Sequence, residues 1–325
     1  MRYTIFGESH GPAIGVTLEG LPSGVEVDLD FIRSELKRRA PGQNATSTAR
    51  READEPEILS GVFEGKTTGT PLCAIIRNTD TRSKDYSKLR DMPRPGHADY
   101  TGQVRYGGCN DYRGGGHFSG RLTAPLVFAG AVAKLVLKER GITVSAQVSN
   151  LAGIPDPSEE QARAAILAAK GEGDSVGGCV RCLVEGLPAG LGSPDFGCNV
   201  EGIFAQYLFA VPAVKGISFG AGFALASMRG SEANDPFCLE GDHIATATNH
   251  AGGVNGGITN GMPVDFEVVF RPTPSISKPQ RTVSLSRMEE TELVVEGRHD
   301  PCVVLRAVPV VEAAVALAAC EVLGI

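Results

Sequence analysis

The chain opens on short alternating runs. "YTIF" at 3–6 reads as a strand, and "GPAIGVTLEG" at 11–20 passes through Pro and Gly into a second one. Later runs behave alike: "CAIIRN" at 73–78, "GCVRCLVEGL" with Val180, Cys182 and Val184 on one face, and "DFEVVF", where Phe266, Val268 and Phe270 alternate against Asp265 and Glu267. Helical spacing appears in "DLDFIRSELKRRAPG", with an acidic start, Leu29, Ile32 and Leu36 on one face and Pro41-Gly42 as the stop. "SEEQARAAILAAKGEG" begins with a capping box of Ser158 and Gln161 and is expected to end at Gly171. The connections 40–57 and 77–120 show little periodicity, and loops of that length in a folded domain are usually functional or disordered.

Three pairs of segments repeat in the same order. "GVFEGKTTGTPL" at 61–72 matches "GVNGGITNGMPV" at 253–264, and "LEGLPSG" at 18–24 matches "VEGLPAG" at 184–190. "GGHFSGRLTAPLVFAGAVAKLVLKERG" and "GRHDPCVVLRAVPVVEAAVALAACEVLG" each run from a Gly/His loop through Pro into an apolar helix. Pro125 and Pro309 are expected near the two helix starts, and Gly141 and Gly324 at the stops. The chain therefore reads as one domain, 1–325, made of two related halves, about 1–143 and 144–325. Both closing helices are apolar nearly all round and must be covered on most sides, while Lys134, Glu312 and Glu321 argue against a membrane; burial between sheets satisfies both facts.

Composition narrows the function more than the fold. With 325 residues, 41 glycines and a net charge of −7, the chain has room for a large core and many tight turns, and no general affinity for nucleic acid or anionic membrane. No run reaches the roughly 20 apolar residues of a membrane span, and the sequence reads as cytoplasmic. The eight cysteines have no framework spacing. Cys179 and Cys182 form C-x-x-C within a strand, where positions three apart face opposite ways, so no zinc or redox pair is expected.

Against this acidic background, arginine concentrates in loops, "STARRE", "RPGHAD", "DYRGGGHFSGR" and "GRHDP", the last three with glycine beside it. Glycine lets a ligand approach backbone N–H groups, and the planar arginine fork suits phosphate and carboxylate, so a small polyanion is the expected ligand. Of the six histidines, His10, His97, His117 and His299 share such loops, which favours proton transfer. No H-x-x-x-H or H-E-x-x-H spacing suggests a metal. "GESHG" at 7–11 satisfies G-x-S-x-G, but it runs on into a strand rather than the helix a nucleophile elbow requires. "GGVNGGITNG" likewise leads into a strand and not a dinucleotide-binding helix, which leaves a cofactor cradle of another kind.

Together "FGESHG", "ILSGVFEGKTTGTP", "RPGHADYT", "DYRGGGHFSGRLTA", "GEGDSVGG", "GLPAGLG", "NHAGGVNGGITNG" and "GRHDPCVVLRAVPVVEA" resemble the chorismate synthases along the whole chain. The resemblance implies a lyase of aromatic amino acid biosynthesis that converts 5-enolpyruvylshikimate 3-phosphate to chorismate and phosphate by 1,4-anti-elimination. It implies an α+β fold, an internally duplicated β-α-β sandwich with long helices packed between two antiparallel sheets, assembled as a homotetramer. Reduced FMN (FMNH2) is the implied cofactor; NADPH enters only for a bifunctional member that reduces its own flavin. "KRRAPG" in place of the frequent "RRRPG", and Ala45 where a basic residue is common, weaken the case for NADPH.

By the same resemblance His10 supplies a proton near the phosphate and the flavin, His97 stands over the flavin, and Asp300 accepts the proton from flavin N5. Substrate falls to Arg39, Arg50, Arg51, Arg94, Ser119, Arg121 and Arg298. The flavin falls to His117, Phe118, Ser119, Gly256, Arg271, Pro272, Thr273, Pro274, Ser275 and Arg298. Other members carry Arg where this chain has His117, which points to a cofactor contact rather than an acid. Two rivals stay open: a non-catalytic binder of a phosphorylated metabolite, which would need the arginines but not His10, His97 and Asp300, and an NAD(P)-dependent oxidoreductase, which lacks its strand-loop-helix fingerprint here.

Overall fold

Residues 1–42, 52–80, 88–297 and 299–325 are described in the computed structural model; Arg50, Arg51 and Arg298 lie outside them. The first alternating runs form β1 (Arg2–Gly7) and β2 (Ala13–Glu19), followed by α1 (Leu29–Arg39) and β3 (Pro56–Ser60). A small hairpin of β4 (Val62–Phe63) and β5 (Lys66–Thr67) leads to β6 (Leu72–Arg77), and the order β1-β2-β6-β3 makes one antiparallel sheet. The long loop holds α2 (Asp99–Arg105) and ends in α3 (Thr123–Lys138). Then come β7 (Thr143–Leu151), β8 (Ile154–Pro155), α4 (Glu159–Gly171), β9 (Gly178–Glu185), α5 (Val200–Phe209) and β10 (Val214–Phe219). Beyond the single turn α6 (Gly230–Ala233) lie two hairpins, β11 (Phe237–Glu240) with β12 (His243–Thr246), and β13 (Val254–Asn255) with β14 (Ile258–Thr259). β15 (Val264–Phe270), the pair β16 (Gln280–Ser284) and β17 (Glu289–Leu293), and α7 (Val304–Val322) complete the chain.

The second sheet runs β10-β15-β9-β7-β8. Apart from the two-residue β8, its strands answer those of the first sheet one for one: β7 to β1, β9 to β2, β15 to β6 and β10 to β3. Register agrees with the repeated motifs, since Leu18 faces Leu72 in one sheet and Val184 faces Val264 in the other, and Ala13 opposite Arg77 answers Cys179 opposite Val269. Helices α1 and α5 stand after corresponding strands, as do the hairpins 62–67 and 254–259 before theirs.

Helices α3 and α7 lie between the sheets, α3 against β2 and β6, α7 against β7 and β9, and they pack on each other in one continuous core. Residues 120–138 are, among the described residues, the one helical run long and apolar enough to cross a membrane; 83% of its most apolar window is buried inside the protein, as the core position requires. Both helices end in Schellman turns with Gly141 and Gly324 at positive φ: Ile142 N–H reaches the Leu137 carbonyl (3.1 Å) and Ile325 N–H the Cys320 carbonyl (2.9 Å). Pro309 departs from expectation. The helix starts at Val304, so the proline sits inside it and removes the donor for the Leu305 carbonyl. Helix α4 ends at Gly171 as expected, with Gly173 at φ 68° just beyond its cap, whereas Leu29 is 39% exposed, the inner face of α1 being Ile32, Glu35, Leu36 and Arg39.

The polar residues on these helices are matched in place. Glu312 accepts from Arg38 Nη1 (2.6 Å), Lys134 Nζ (2.6 Å) and the Ala146 N–H (3.1 Å), and Lys134 also pairs with Glu35. Burial works against the Glu312 carboxylate, yet Arg38 and Lys134 hold it below the usual range. Where the helices cross, Gly130 has no room for a side chain: an added Cβ would overlap the Cα and Cβ of Ala313. Alanine gains up to about 1 kcal/mol of helix propensity, but forcing the backbones apart costs about 1–3 kcal/mol or more. Gly130→Ala is therefore expected to lower stability in urea unfolding; an unchanged midpoint would show that the helices separate freely.

Candidate active site

Three consecutive glycines build the floor of the site. Gly114, Gly115 and Gly116 have φ of 59°, 82° and 55°, a left-handed run that other residues would strain to adopt. A Cβ on Gly114 would lie 2.5 Å from His10 Cδ2, and one on Gly115 would lie 3.3 Å from His97 Cε1. The two imidazoles thus rest on successive positions of one loop. That loop is tied to the β1–β2 turn, because Ser9 N–H donates to the Gly116 carbonyl (3.1 Å) and His117 Nδ1 to the Gly7 carbonyl (2.9 Å). Ser9 is fully buried, in a strand-strand turn, and has no attributes of an exposed nucleophile.

His97 is fixed by a carboxylate. Its Nδ1 is 2.7 Å from Asp99 Oδ1, while Arg94 clasps the same carboxylate through Nε (2.7 Å) and Nη2 (2.8 Å). Arg94 Nη2 is also 3.1 Å from His97 Nδ1, but guanidinium can only donate, so the nearer, charged acceptor places a proton on Nδ1 and Nε2 is turned to Gly115. Burial opposes the Asp99 charge; the hydrogen bonds from Arg94 and His97 overcome it and hold the carboxyl well below the usual range. Asp99→Asn should loosen the His97 ring and lower any turnover that depends on its orientation by about 10- to 100-fold, the worth of a charge-assisted bond. Because the folded pKa lies below the unfolded one, Asp99 stabilises the protein above about pH 4 and loses that contribution as pH falls further. The variant's urea midpoint should consequently depend less on pH between about 5 and 2; identical slopes would refute the assignment.

Residues 271–275 strap this loop to the other half. Arg271 Nη1 donates to the Gly96 carbonyl (2.5 Å), Ser275 Oγ accepts from Arg94 Nη1 (3.0 Å), and Thr273 Oγ1 donates to the Asp300 carbonyl (2.6 Å). Pro272 and Pro274 hold the run extended between these ties. Asp300 Oδ2 in turn accepts from Arg306 Nη1 (2.5 Å). Beside it, His299 Nε2 is buried without a hydrogen-bond partner among the described residues, and burial, reinforced by Arg94, pushes that imidazole below its ordinary pKa.

Arg39 and Arg121 converge on Asp54. Arg39 Nη2 donates to Asp54 Oδ2 (2.6 Å), Arg121 Nη1 to Oδ1, and Arg121 Nε to Asn78 Oδ1 (3.0 Å). Arg39 is 1% exposed; burial pushes its guanidinium down to about 10 against the pull of Asp54, and its Nε finds no partner among the described residues. The two arginines thus form a buried cluster around one carboxylate. Ser119 Oγ accepts the Arg121 N–H (3.3 Å), and the Phe118 ring packs on Gly102 and Tyr106. Gly256 is placed elsewhere, in the turn of the β13–β14 hairpin, whose neighbours are Gly190 to Gly192 and the start of α5.

Three side chains of the site, Asp54, Asp99 and Arg306, carry no signal of their own in the sequence. Their only cue is spacing from the arginines and histidines they partner. No group of three or more His, Cys, Asp or Glu among the described residues is placed to hold a metal ion. A cavity of about 520 Å³ beside Tyr3, Tyr207 and Glu321 shares none of these residues, whereas a second, of about 570 Å³, is lined by Glu52 and Asp54 beside Ala40 and Pro41.

A family model described as chorismate synthase matches residues 1–323. Proteins called chorismate synthase from Thermococcus gammatolerans and Chitinophaga pinensis are each 50% identical, over 335 and 317 residues, covering 97% and 98% of this chain and 94% and 92% of theirs. One from Aeropyrum pernix is 47% identical over 346 residues, 99% of this chain and 90% of its own. A solved structure described as the crystal structure of chorismate synthase superposes with a TM-score of 0.76 at 27% identity, covering 99% of this chain and 91% of that one.

Proposed function

The chain belongs to the chorismate synthase family, and from that premise we propose which of its residues carry out the reaction. It is a lyase of the shikimate pathway, forming chorismate and phosphate from 5-enolpyruvylshikimate 3-phosphate. The observation that carries the assignment is the pair of imidazoles on Gly114 and Gly115, with Arg94 and Asp99 locking one of them.

His10 delivers a proton to the leaving phosphate. Arg94 and Arg121, with Arg39, Arg50, Arg51 and Arg298, attract and orient the anionic groups, and Ser119 adds a hydroxyl. Asp300 would hold the proton given up by the flavin, so that the single hydrogen lost by the substrate has one destination, the cofactor. A flavin suits the surroundings: the glycine floor gives close backbone approach, His117, Phe118 and residues 271–275 offer a ring face and polar rim, and His299 Nε2, without a partner among the described residues, offers an acceptor. Reduced FMN, when bound, supplies electron density as the C–O bond breaks and takes up hydrogen, which a concerted anti-elimination manages poorly. His97, with a proton kept on Nδ1 by Asp99, presents Nε2 on the flavin side.

Arg271 already spends its guanidinium on the Gly96 carbonyl, so it supports the cofactor loop more than it binds phosphate. Gly256, distant in the chain's own contacts, would serve best within an assembly. A homotetramer is supported by the β11–β12 hairpin, where Phe237, Leu239 and Ile244 are 76%, 79% and 70% exposed. The continuous core supports one domain composed of two related halves.

The test is anaerobic: incubate protein, substrate and chemically reduced FMN and follow chorismate. Chorismate is the expected product; substrate binding without chorismate would establish a non-catalytic binder. Oxidised FMN plus NADPH in a parallel reaction is expected to give none, in line with Ala45 and "KRRAPG".

A further inference from the structure

Arg306 occupies an unfavourable place for a cation. It is the third residue of α7, where the positive end of the helix dipole repels it, and that first turn contains no acidic residue. Its side chain, only 20% exposed, reaches two functional elements at once: Nη1 donates to Asp300 Oδ2 (2.5 Å) and Nε to the Arg39 carbonyl (2.9 Å). Its charge is also felt by the Arg39 guanidinium. The fork therefore links the turn before α7 to the end of α1, two elements from opposite halves of the chain. One carries Asp300, the other the anion-binding cluster.

We infer that Arg306 is a positioning residue, which fixes the Asp300 carboxylate relative to the Arg39 cluster by occupying Oδ2 and so decides which face of the carboxylate meets the reacting centre. This rests on the assignment of Asp300 as the proton-holding group. Lysine could keep the charge and one of the two bonds, but it lacks the planar fork needed for both. Without the Arg306 fork the carboxylate would still be present, but misaimed. The loss should thus appear in kcat, with substrate and flavin binding preserved.

The test is a double-mutant cycle of Arg306→Gln and Asp300→Asn, with Arg306→Lys alongside, read by chorismate formation with reduced FMN and, separately, by fluorescence titration of oxidised FMN. Arg306→Gln should lower kcat by about 10- to 100-fold with KM and FMN affinity within about threefold of the parent. Arg306→Lys should recover part of that. On the Asp300→Asn background, Arg306→Gln should cost less than about threefold more, because the group it aims is already lost. An equal loss on both backgrounds, or a loss confined to KM or FMN affinity, overturns the inference. Near-normal turnover in Asp300→Asn alone overturns instead the role of Asp300. Should Arg306→Gln fail to fold, the cycle with Arg306→Lys decides by the same comparison.

Discussion

His10→Ala is expected to lower kcat by about 10²- to 10⁴-fold, the usual contribution of a well-placed general acid, with FMN binding unchanged. Without a proton the phosphate ester must expel a trianion; with one it leaves as the far more stable dianion. His10 is suited to the task because the turn that carries it is clamped by the Ser9 to Gly116 hydrogen bond and the His117 to Gly7 bond, so the ring cannot drift from the glycine floor. The ring lies against Gly114, where no other side chain could intervene. Asp111 is near enough for the His10 charge to help lower its carboxyl, although the Arg113 hydrogen bond does most of that. The variant should regain rate as pH falls, since more of the substrate phosphate then carries its own proton, whereas the parent should depend less on pH in that range. Single-turnover chorismate formation with reduced FMN measures both. Near-normal turnover at neutral pH would remove His10 from the mechanism.

The two-sheet architecture is legible in the sequence because alternation and repetition report backbone facts directly. "LEGLPSG" and "VEGLPAG" align because β2 and β9 end at the same point of equivalent sheets, and the paired registers Leu18–Leu72 and Val184–Val264 result from that. Helix α2 leaves no such trace, since its seven residues include Gly102 and carry no apolar stripe; its glycine is there to admit the Phe118 ring. Pro309 misleads for a physical reason as well. A proline within a helix forfeits one hydrogen bond, and a helix buried by the whole core tolerates that loss. At the site, histidines and arginines stand out by type and by glycine-rich setting, while their partners do not. Asp99 opens a seven-residue helix with no apolar stripe, and no pattern in the sequence announces that its carboxylate turns back onto His97 and Arg94 just before it. The same holds for Asp54, which lies 15 residues from Arg39 and 67 from Arg121 in sequence yet joins them in space.

Asp54→Asn is expected to destabilise the fold by about 3–5 kcal/mol, the cost of removing one partner from a buried ion pair. The Asp54 side chain is wholly buried, as are those of Arg39 and Arg121 at 2% and 3% exposure, so solvent screens neither the attraction nor the repulsion that would replace it. Burial alone would raise the Asp54 carboxyl, yet Arg39 and Arg121 together hold it below its ordinary value; at Arg39, where burial and two neighbouring cations oppose a single carboxylate, the balance goes the other way. Asparagine is the right probe because Asp54 sits at φ 53°, a left-handed conformation that Asn tolerates better than most residues. Asp54→Ala should lose about 1–2 kcal/mol more, the further cost of a β-carbon without a polar group in that conformation. Urea unfolding measures both. A loss under about 1 kcal/mol in Asp54→Asn would mean that the arginines find water or another carboxylate, Glu52 being 3.9 Å from Arg121. The variant carries a second expectation that joins stability to function. With Asp54 neutral, the two guanidinium groups lose their shared anion and, among the described residues, only Arg121 keeps a carboxylate nearby, so inorganic phosphate should raise the unfolding midpoint of Asp54→Asn more than that of the parent. Equal responses would show that these arginines serve the fold and not the substrate.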